Sequence, residues 1–488
     1  MNQEPGLLSP QYRKISFAIY MGVALVAFEG TAVAAALPQL AADLGRIDLL
    51  PWIITAYLFA SGLSTIVAGP LVDAIGSKRV FVTATAVFAI TGFGAGLANS
   101  VFVLIVLRLI QGAASGGLFA ASLAAVNLAY PASLTPKAFA ANATIWGLMG
   151  GAAPALAALL LSVASWRWIF FVNLPLGLLC VFSGRDTFPG RQPGAESPSI
   201  DWRGAALAGL ITFSTIAAVD ELGLRSIVLL AVAGVAVVLF TIHARRTERP
   251  VLKLEHIAGH PYRSLGATPT LMIAAAFATN IYITLYVSAG RGWSTDASAW
   301  AVLFFILGWT TGANLSSVIQ ARISEVDVMT LGLGSGLLGS TITAGFAWAD
   351  SSVIGVFGGL FATGVGIGLA TNSALTILRS ATEPRQIGRA GAAHQFMRNQ
   401  GFTIGSAAGG AILLLVVGNE LGSVEPVQQL LAGEDIETGP AVADAVRYGF
   451  GTVTLVSLAV MTLAIVPLLS LRRQTSLLLA RAEPAQQT

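Results

Sequence analysis

Apolar runs of about twenty residues, the length a helix needs to cross roughly 30 Å of hydrocarbon, recur along almost the whole chain. They cover about 15–37, 52–72, 80–98, 102–126, 138–163 and 168–182. Two shorter runs follow at about 204–219 and 227–242, then six more at about 265–288, 299–319, 329–348, 353–378, 392–417 and 446–471. A soluble fold could not hide so many. Of the 488 residues, 55% are hydrophobic and 10% are charged, whereas soluble domains carry roughly 25% charged residues. The expected fold is an all-α membrane protein of fourteen spanning helices.

The basic residues set the expected sidedness, because inner loops collect lysine and arginine. With a cytoplasmic N-terminus, twenty of the 27 lie on inner segments, among them Lys78, Arg79, Arg185, Arg245, Arg246 and Arg472. Five, namely Arg46, Arg167, Arg225, Arg291 and Arg447, lie on outer segments, and Arg108 and Arg398 fall within spans. Both termini are therefore expected on the cytoplasmic side. Removing the short hairpin at 204–242 would change no other sidedness, so charge alone leaves twelve and fourteen spans open. The net-acidic tip Asp220-Glu221-Leu-Gly-Leu-Arg225 favours fourteen. Polar linkers then divide the chain into a six-helix bundle over 1–183, linkers and an inserted hairpin over 184–264, and a second six-helix bundle with its tail over 265–488. The acid-rich segment 418–445 reads as an outer loop, either simply solvated or serving as a vestibule or docking feature.

The 53 glycines suit membrane helices, where small residues let backbones approach closely. Spaced pairs stand at Gly112/Gly116, Gly147/Gly151, Gly332/Gly336 and Gly364/Gly368, with a triplet at Gly401/Gly405/Gly409. Cys180 is the single cysteine, which excludes disulfides within the chain and cysteine-built metal sites. The four histidines, with His256 and His260 in a polar linker, lack metal-ligand spacing on a helix face, so no metal is expected. Basic residues scattered between apolar spans do not suit nucleic acid. Arg13 and Lys14 precede a run of full spanning length that contains Glu29 and lacks a small-residue cleavage site, so it is read as a first membrane helix.

Several motifs converge on one family. After the second run stands Gly69-Pro-Leu-Val-Asp73-Ala-Ile-Gly76-Ser-Lys78-Arg79. It resembles the G-x-x-x-D-x-x-G-x-[KR]-[KR] loop of the major facilitator superfamily at every defined position. Gly69 and Gly76 permit a tight turn, Asp73 can cap the positive end of a neighbouring helix, and Lys78 and Arg79 can anchor the loop at the inner surface. In the fourth run, Leu107-Arg108-Leu-Ile-Gln111-Gly112 resembles the family's intramembrane Arg followed by Gln-Gly. An arginine there costs about 2.5–3.5 kcal/mol on insertion scales. The resemblance implies proton handling; a structural arginine bonded to backbone carbonyls is the alternative.

The first run reads Phe28-Glu29-Gly30-Thr31-Ala-Val33-Ala-Ala-Ala-Leu37-Pro38. This is similar to the D-x-T-x-V-x-x-A-L-P signature of drug:proton antiporters, with Glu29 where Asp is usual. Ser165-Trp166-Arg167-Trp168-Ile-Phe170-Phe171-Val-Asn173-Leu-Pro175-Leu-Gly177 resembles W-R-W-I-F-x-I-N-x-P-x-G of the fourteen-helix branch, and Ile200-Asp201-Trp202-Arg203-Gly204 resembles the entry to its extra hairpin. The fifth-span motif departs from the pattern. Gly147, Gly151 and Pro154 remain as packing positions, while Met149, Ala153, Ala157 and Ala158 replace usual glycines. The second-half copy of the loop motif, around Gln320-Ala-Arg322-Ile-Ser-Glu325-Val-Asp327, is eroded.

The resemblance implies a proton-coupled exporter of amphiphilic small molecules in the cytoplasmic membrane. It would work as a monomer, with a proton gradient instead of a cofactor. Glu29 and Arg108 would handle the proton. Polar and aromatic residues on apolar helices would line the substrate cavity: Thr31, Gln111, Trp146, Asn280, Tyr282, Tyr286, Trp309, Asn372, Gln395 and Arg398. Aromatics with few polar groups suit amphiphilic ligands, although each residue taken singly also fits a packing role. A dedicated exporter of an endogenous lipid or secondary metabolite is the alternative. A membrane-embedded enzyme is disfavoured, since the chain contains no G-x-x-x-x-G-K-[ST], H-E-x-x-H or G-x-S-x-G. A passive scaffold is disfavoured by the retained Glu29, Asp73 and Arg108.

Overall fold

Lipid offers a backbone no hydrogen-bond partners, so an apolar run must satisfy its own N–H and C=O groups within a helix. In the computed structural model, which describes residues 6–44, 49–192, 200–218, 224–294, 301–431 and 439–482, every apolar run is helical and no strand occurs among the described residues. The first helices are α1 (Arg13–Leu44), α2 (Leu50–Ile75), α3 (Ser77–Gly96), α4 (Val101–Ala129), α5 (Thr135–Val163), α6 (Arg167–Phe171) and α7 (Asn173–Gly184). The short pair is α8 (Trp202–Ala217) and α9 (Leu224–Arg246), followed by α10 (Glu255–Ala258). Then come α11 (Tyr262–Asn280), α12 (Ile283–Ser288), α13 (Ala301–Ile319), α14 (Glu325–Trp348), α15 (Val353–Ala381), α16 (Ile387–Leu421), α17 (Glu425–Leu431), α18 (Pro440–Leu463) and α19 (Ile465–Ala482). Eleven helical segments among the described residues are long and apolar enough to cross a membrane. The hairpin tip at 220–223 lies outside the described residues.

Local chemistry explains several boundaries. Proline lacks an N–H and crowds the carbonyl four residues earlier. The break between α6 and α7 follows Phe171, four before Pro175, and the break between α18 and α19 follows Leu463, four before Pro467. Pro70 and Pro269 sit inside unbroken helices. Between α2 and α3 the chain turns on Gly76, whose φ of +91° favours glycine; a β-carbon there would also collide with the backbone of Gly190 and Arg191. Ser100 caps α4 by accepting the N–H of Val103, and Ser324 caps α14 by accepting that of Asp327.

Two segments expected as loops carry structure. The segment 418–445 contains the end of α16, the helix α17 and the start of α18. Within the basic linker 243–264, Val251 and Leu252 are buried with Ile66, Ala208, Phe240, Ala244 and Ala393. That core is closed by Asp201, which accepts the N–H of Gly204 (2.9 Å) and of Val251 (3.2 Å) and meets Nε2 of His243 at 2.8 Å. Burial alone would push the Asp201 carboxyl up. The Gly204 N–H, His243 and the Val251 N–H outweigh it and hold the group below its ordinary value. His256 on α10 is buried and pushed down to about 4, first by burial and then by Lys253 and Arg389.

The chain forms two compact units. Unit 1 comprises Met1–Ile211, Val235–Ile257 and Leu378–Phe396; unit 2 comprises Thr212–Gly234, Ala258–Ile377 and Met397–Thr488. In unit 1, α4 packs on α2 and α3, and α1 on α5 and α7. Trp166 is buried in its core, donates its indole N–H to Asp43 (2.9 Å) and takes Gln39 on its backbone N–H (3.1 Å), so α6 is fastened to the end of α1. In unit 2 the glycine series do the packing. A β-carbon at Gly364 or Gly368 would fall on the backbone of α13, and one at Gly401, Gly405 or Gly409 on the backbone of α11.

Candidate functional site

The site in unit 1 follows from close helix packing. Gly112 and Gly116 on α4 lie so near α2 that a β-carbon at either would strike the backbone of Tyr57 or of Ser61 and Thr65. This approach sets the carbonyl of Ile53 and the ring of Tyr57 against Arg108, one turn before Gly112. The Arg108 Nε donates to Ile53 O at 3.2 Å, and the guanidinium carbon lies 4.0 Å from the centre of the Tyr57 ring. Its Nη1 donates to Glu29 Oε1 on α1 at 2.6 Å and to Gln111 Oε1 at 2.9 Å. Asn173, the first residue of α7, donates Nδ2 to the other Glu29 oxygen at 2.7 Å. Glu29 is 0% exposed and Arg108 1%.

The result is one ion pair on four helices, shut off from solvent. Removing either charge would leave the other buried without its partner, a cost of about 3–5 kcal/mol. Gln111 Nε2 and Asn173 Oδ1 remain without a hydrogen-bond partner among the described residues, one donor and one acceptor at the edge of the pair.

A second constellation lies at the loop motif. Asp73 Oδ1 accepts the N–H of Gly388 (2.7 Å) and Oδ2 that of Arg389 (2.9 Å), two of the donors that the first turn of α16 cannot satisfy itself. Gly69, one turn earlier, leaves room for this contact, since its β-carbon would lie 2.7 Å from Gly388 O. Lys78 and Arg79 are exposed. Arg379 at the end of α15 makes the complementary contact. It donates to the carbonyls of Asn127 (3.1 Å) and Tyr130 (2.8 Å) at the C-terminal end of α4 and to the Thr135 hydroxyl (2.6 Å).

The remaining expected site residues fall into separate places. In unit 2, Arg398 lies over the Trp309 ring at 5.9 Å from its centre; Gln395, which belongs to unit 1, is half-buried. Asn280 is buried, with Oδ1 unpartnered among the described residues; Tyr282 donates its hydroxyl to Ser406 O (2.9 Å); Tyr286 accepts from Arg291 (2.7 Å) and stacks on Phe450. Asn372 donates to Ala313 O at 3.1 Å. In unit 1, Trp146 is 42% exposed on α5 and Gly147 half-buried beside it. Gly151 and Pro154 lie within α5 and Thr31 within α1, but their side-chain surroundings lie outside the described set. Among the described residues no group of His, Cys, Asp or Glu could hold a metal.

Sequence reading missed Tyr57, Asn173 and Arg379. Asn173 stood inside a recognised motif and carried a signal, being a polar side chain in an apolar run two residues before a helix-breaking proline. Nothing local marked Tyr57 or Arg379.

The family profile described as Major Facilitator Superfamily matches residues 19–406. The chain belongs to the Major Facilitator Superfamily. Among its relatives are Multidrug resistance protein 3 of Bacillus subtilis (strain 168), 23% identical over 83% of this chain and 80% of the relative, and the Tetracenomycin C resistance and export protein of Streptomyces glaucescens, 26% identical over 82% and 76%. The human organic anion transporter MFSD10 (TETRAN) has the same fold, with a TM-score of 0.64 at 16% identity over 93% of this chain and 99% of that one. The superfamily member described here is thus a multi-pass membrane transporter and not an enzyme.

Proposed function

We propose that this transporter is a proton-coupled exporter of amphiphilic small molecules, of the fourteen-helix drug:proton antiporter branch. It acts as a monomer in the cytoplasmic membrane, with both termini inside and no cofactor. Bundles 1–183 and 265–488, joined by 184–264, would rock about the substrate in the manner of transporters built from paired helix bundles. The observation that carries the reading is the sealed Glu29–Arg108 pair with Asn173 and Gln111 around it. Protonating Glu29 removes the charge that Arg108 meets, so the arginine is left with the bonds it already makes to Gln111 Oε1 and Ile53 O or must turn to another acceptor. Each proton taken or released then changes how α1, α4 and α7 hold together. The names of the relatives support export of drug-like compounds. The departures at Met149, Ala153, Ala157 and Ala158, and the long segment 418–445, favour a specialised lipid or secondary metabolite as the second reading.

The energetics suffice. One charge moving through 100 mV yields about 2.3 kcal/mol, and about 1.4 kcal/mol corresponds to a tenfold gradient, so a potential of about 150 mV sustains a few hundredfold per proton. Inside-out vesicles given an acid lumen should accumulate substrate from a panel of dyes, drugs and lipids, and a protonophore should release it. Uptake that ignores the protonophore would remove proton coupling from the proposal.

The fourteen-helix topology predicts an outer hairpin tip. Cys180 is buried, so a Cys180→Ala background carrying Gly223→Cys offers one accessible thiol. It should react with an impermeant maleimide in intact cells. Labelling only after permeabilisation would place the tip inside and end the fourteen-span reading.

A further inference from the structure

Unit 1 has a groove that the proton site does not use. Along α1, Arg13, Phe17, Met21 and Ala24 recur at spacings of three and four residues and so share one face of the helix. That face, with Ile145 of α5 and Ser183 near the end of α7, lines a groove of about 610 Å³. Its size falls within the roughly 300–1,000 Å³ of small-molecule sites. Phe17 is 45% exposed, so the groove opens at the surface of the unit.

The groove is basic where α1 begins and apolar beyond. Arg13 and Lys14 both line it and both are exposed. No acidic residue occurs from Arg13 to Phe28 of α1, or anywhere in α5 or α7, to neutralise them. Lys137, about two turns before Ile145 on α5, adds a further exposed cation to these helices. From Arg13 to Ala24 the helix rises about 17 Å, close to the ~15 Å of hydrocarbon in one leaflet of a bilayer. A peptide is a poor occupant beside α1, read above as the first membrane helix, because its backbone groups would lack partners at that depth. A zwitterionic lipid would bring a cation of its own to an end that already holds two.

We propose that this groove binds one anionic glycerophospholipid of the leaflet that meets the start of α1. Its phosphate is held by Arg13 and Lys14, and one acyl chain lies along Phe17, Met21 and Ala24. The arginine offers two parallel N–H groups to phosphate oxygens, and the lysine adds a point charge. With the N-terminus cytoplasmic, this is the inner leaflet, whose anionic lipids are drawn to basic segments beside membrane helices. The site is separate from the substrate path and stands whatever the protein exports.

The test reads which lipid binds and where. The full-length protein, stripped of lipid in a neutral maltoside detergent, is titrated with palmitoyl-oleoyl phosphatidylglycerol or with phosphatidylcholine of the same chains. Native mass spectrometry counts the first lipid bound. The wild type should bind phosphatidylglycerol at least fivefold more tightly than phosphatidylcholine. Arg13→Gln combined with Lys14→Gln should remove that preference. Ala24→Phe, which fills the groove and leaves both cations, should weaken both lipids at least fivefold. Arg245→Gln combined with Arg246→Gln, an equal loss of charge at the exposed end of α9, should leave phosphatidylglycerol within twofold of wild type. Phosphatidylglycerol with a diazirine in its acyl chain should cross-link to peptides of α1, and excess glycerol phosphate should not displace it. A wild-type preference below fivefold, a preference kept by the Arg13/Lys14 variant, or a loss above twofold in the Arg245/Arg246 variant would each overturn the site. So would cross-links confined to other helices, or a loss below fivefold in Ala24→Phe. Displacement by glycerol phosphate would show an anion site without an acyl groove and overturn the lipid as its ligand. Should the Arg13/Lys14 variant fail to elute as a single folded species, the wild-type preference, Ala24→Phe and the cross-links still decide.

Discussion

Glu29→Gln is expected to abolish gradient-driven accumulation while leaving downhill exchange of substrate within about threefold of wild type. The loss read in vesicles is the whole steady-state gradient, about two decades if one proton drives each cycle. The substitution is gentle in structure. Its amide oxygen can still accept from Arg108 Nη1, and its amide nitrogen can face Asn173 if that side chain turns over, presenting the Oδ1 that now lacks a partner. What the amide cannot do is take up and release a proton. Glu29→Asp keeps the acid one methylene shorter, so it should retain gradient-driven transport at reduced rate, whereas Arg108→Ala should cost stability because it strands a buried carboxylate. Glu29→Gln proteoliposomes that still concentrate substrate in response to a pH gradient would move the proton site elsewhere.

Much of the fold could be read from the sequence because the membrane removes choices. An apolar run of spanning length can only be a helix, and two breaks inside such runs fall four residues before Pro175 and Pro467, where the missing N–H and the crowded carbonyl favour them. What escaped was structure too short to show a period. The helix Glu425–Leu431 had a start signal in Ser423-Val-Glu425-Pro426, and Ser423 does accept the N–H of Glu425, but seven residues amid acids and glycines read as loop. Val251 and Leu252 looked like part of a polar linker because two apolar residues beside Pro250 establish no face.

The candidate site divides along the same line. A carboxylate and an arginine on two apolar helices each demand a partner, so Glu29 and Arg108 could be singled out separately. Their third partner, Asn173, lies 144 residues from Glu29 in sequence, and only the packing of α7 against α1 and α3 brings it in. The wish of Asp73 for a helix end was readable from the motif. That the end belongs to α16, 315 residues away, was not, because no local pattern encodes which helix arrives.

That contact gives the last expected result. Asp73→Ala should slow transport about tenfold or more while the protein still reaches the membrane in near-normal amount. The carboxylate satisfies two N–H groups at the start of α16, and hydrogen bonds to a charged group contribute about 1.5–3 kcal/mol each, with the helix dipole adding about 0.3–1. In this structure α2 holds the start of α16 through these bonds, and their loss is expected to shift the balance between conformers of the transport cycle instead of unfolding the helices. A shift of about 1.4 kcal/mol already changes that balance tenfold. Gly69→Ala approaches the same contact from the other side, since its new methyl group would meet Ala392 Cβ at 2.5 Å and Gly388 O at 2.7 Å and force the helices apart with Asp73 intact. Both variants are read by initial uptake rate in inside-out vesicles, normalised to membrane abundance and accompanied by a thermal melt of the purified protein. A matching loss in the two, with melting near wild type, assigns the contact to the transport cycle. If either variant disappears from the membrane, the contact is a requirement of folding, and if Asp73→Ala transports at the wild-type rate, α16 finds its cap elsewhere and the contact has no part in the cycle.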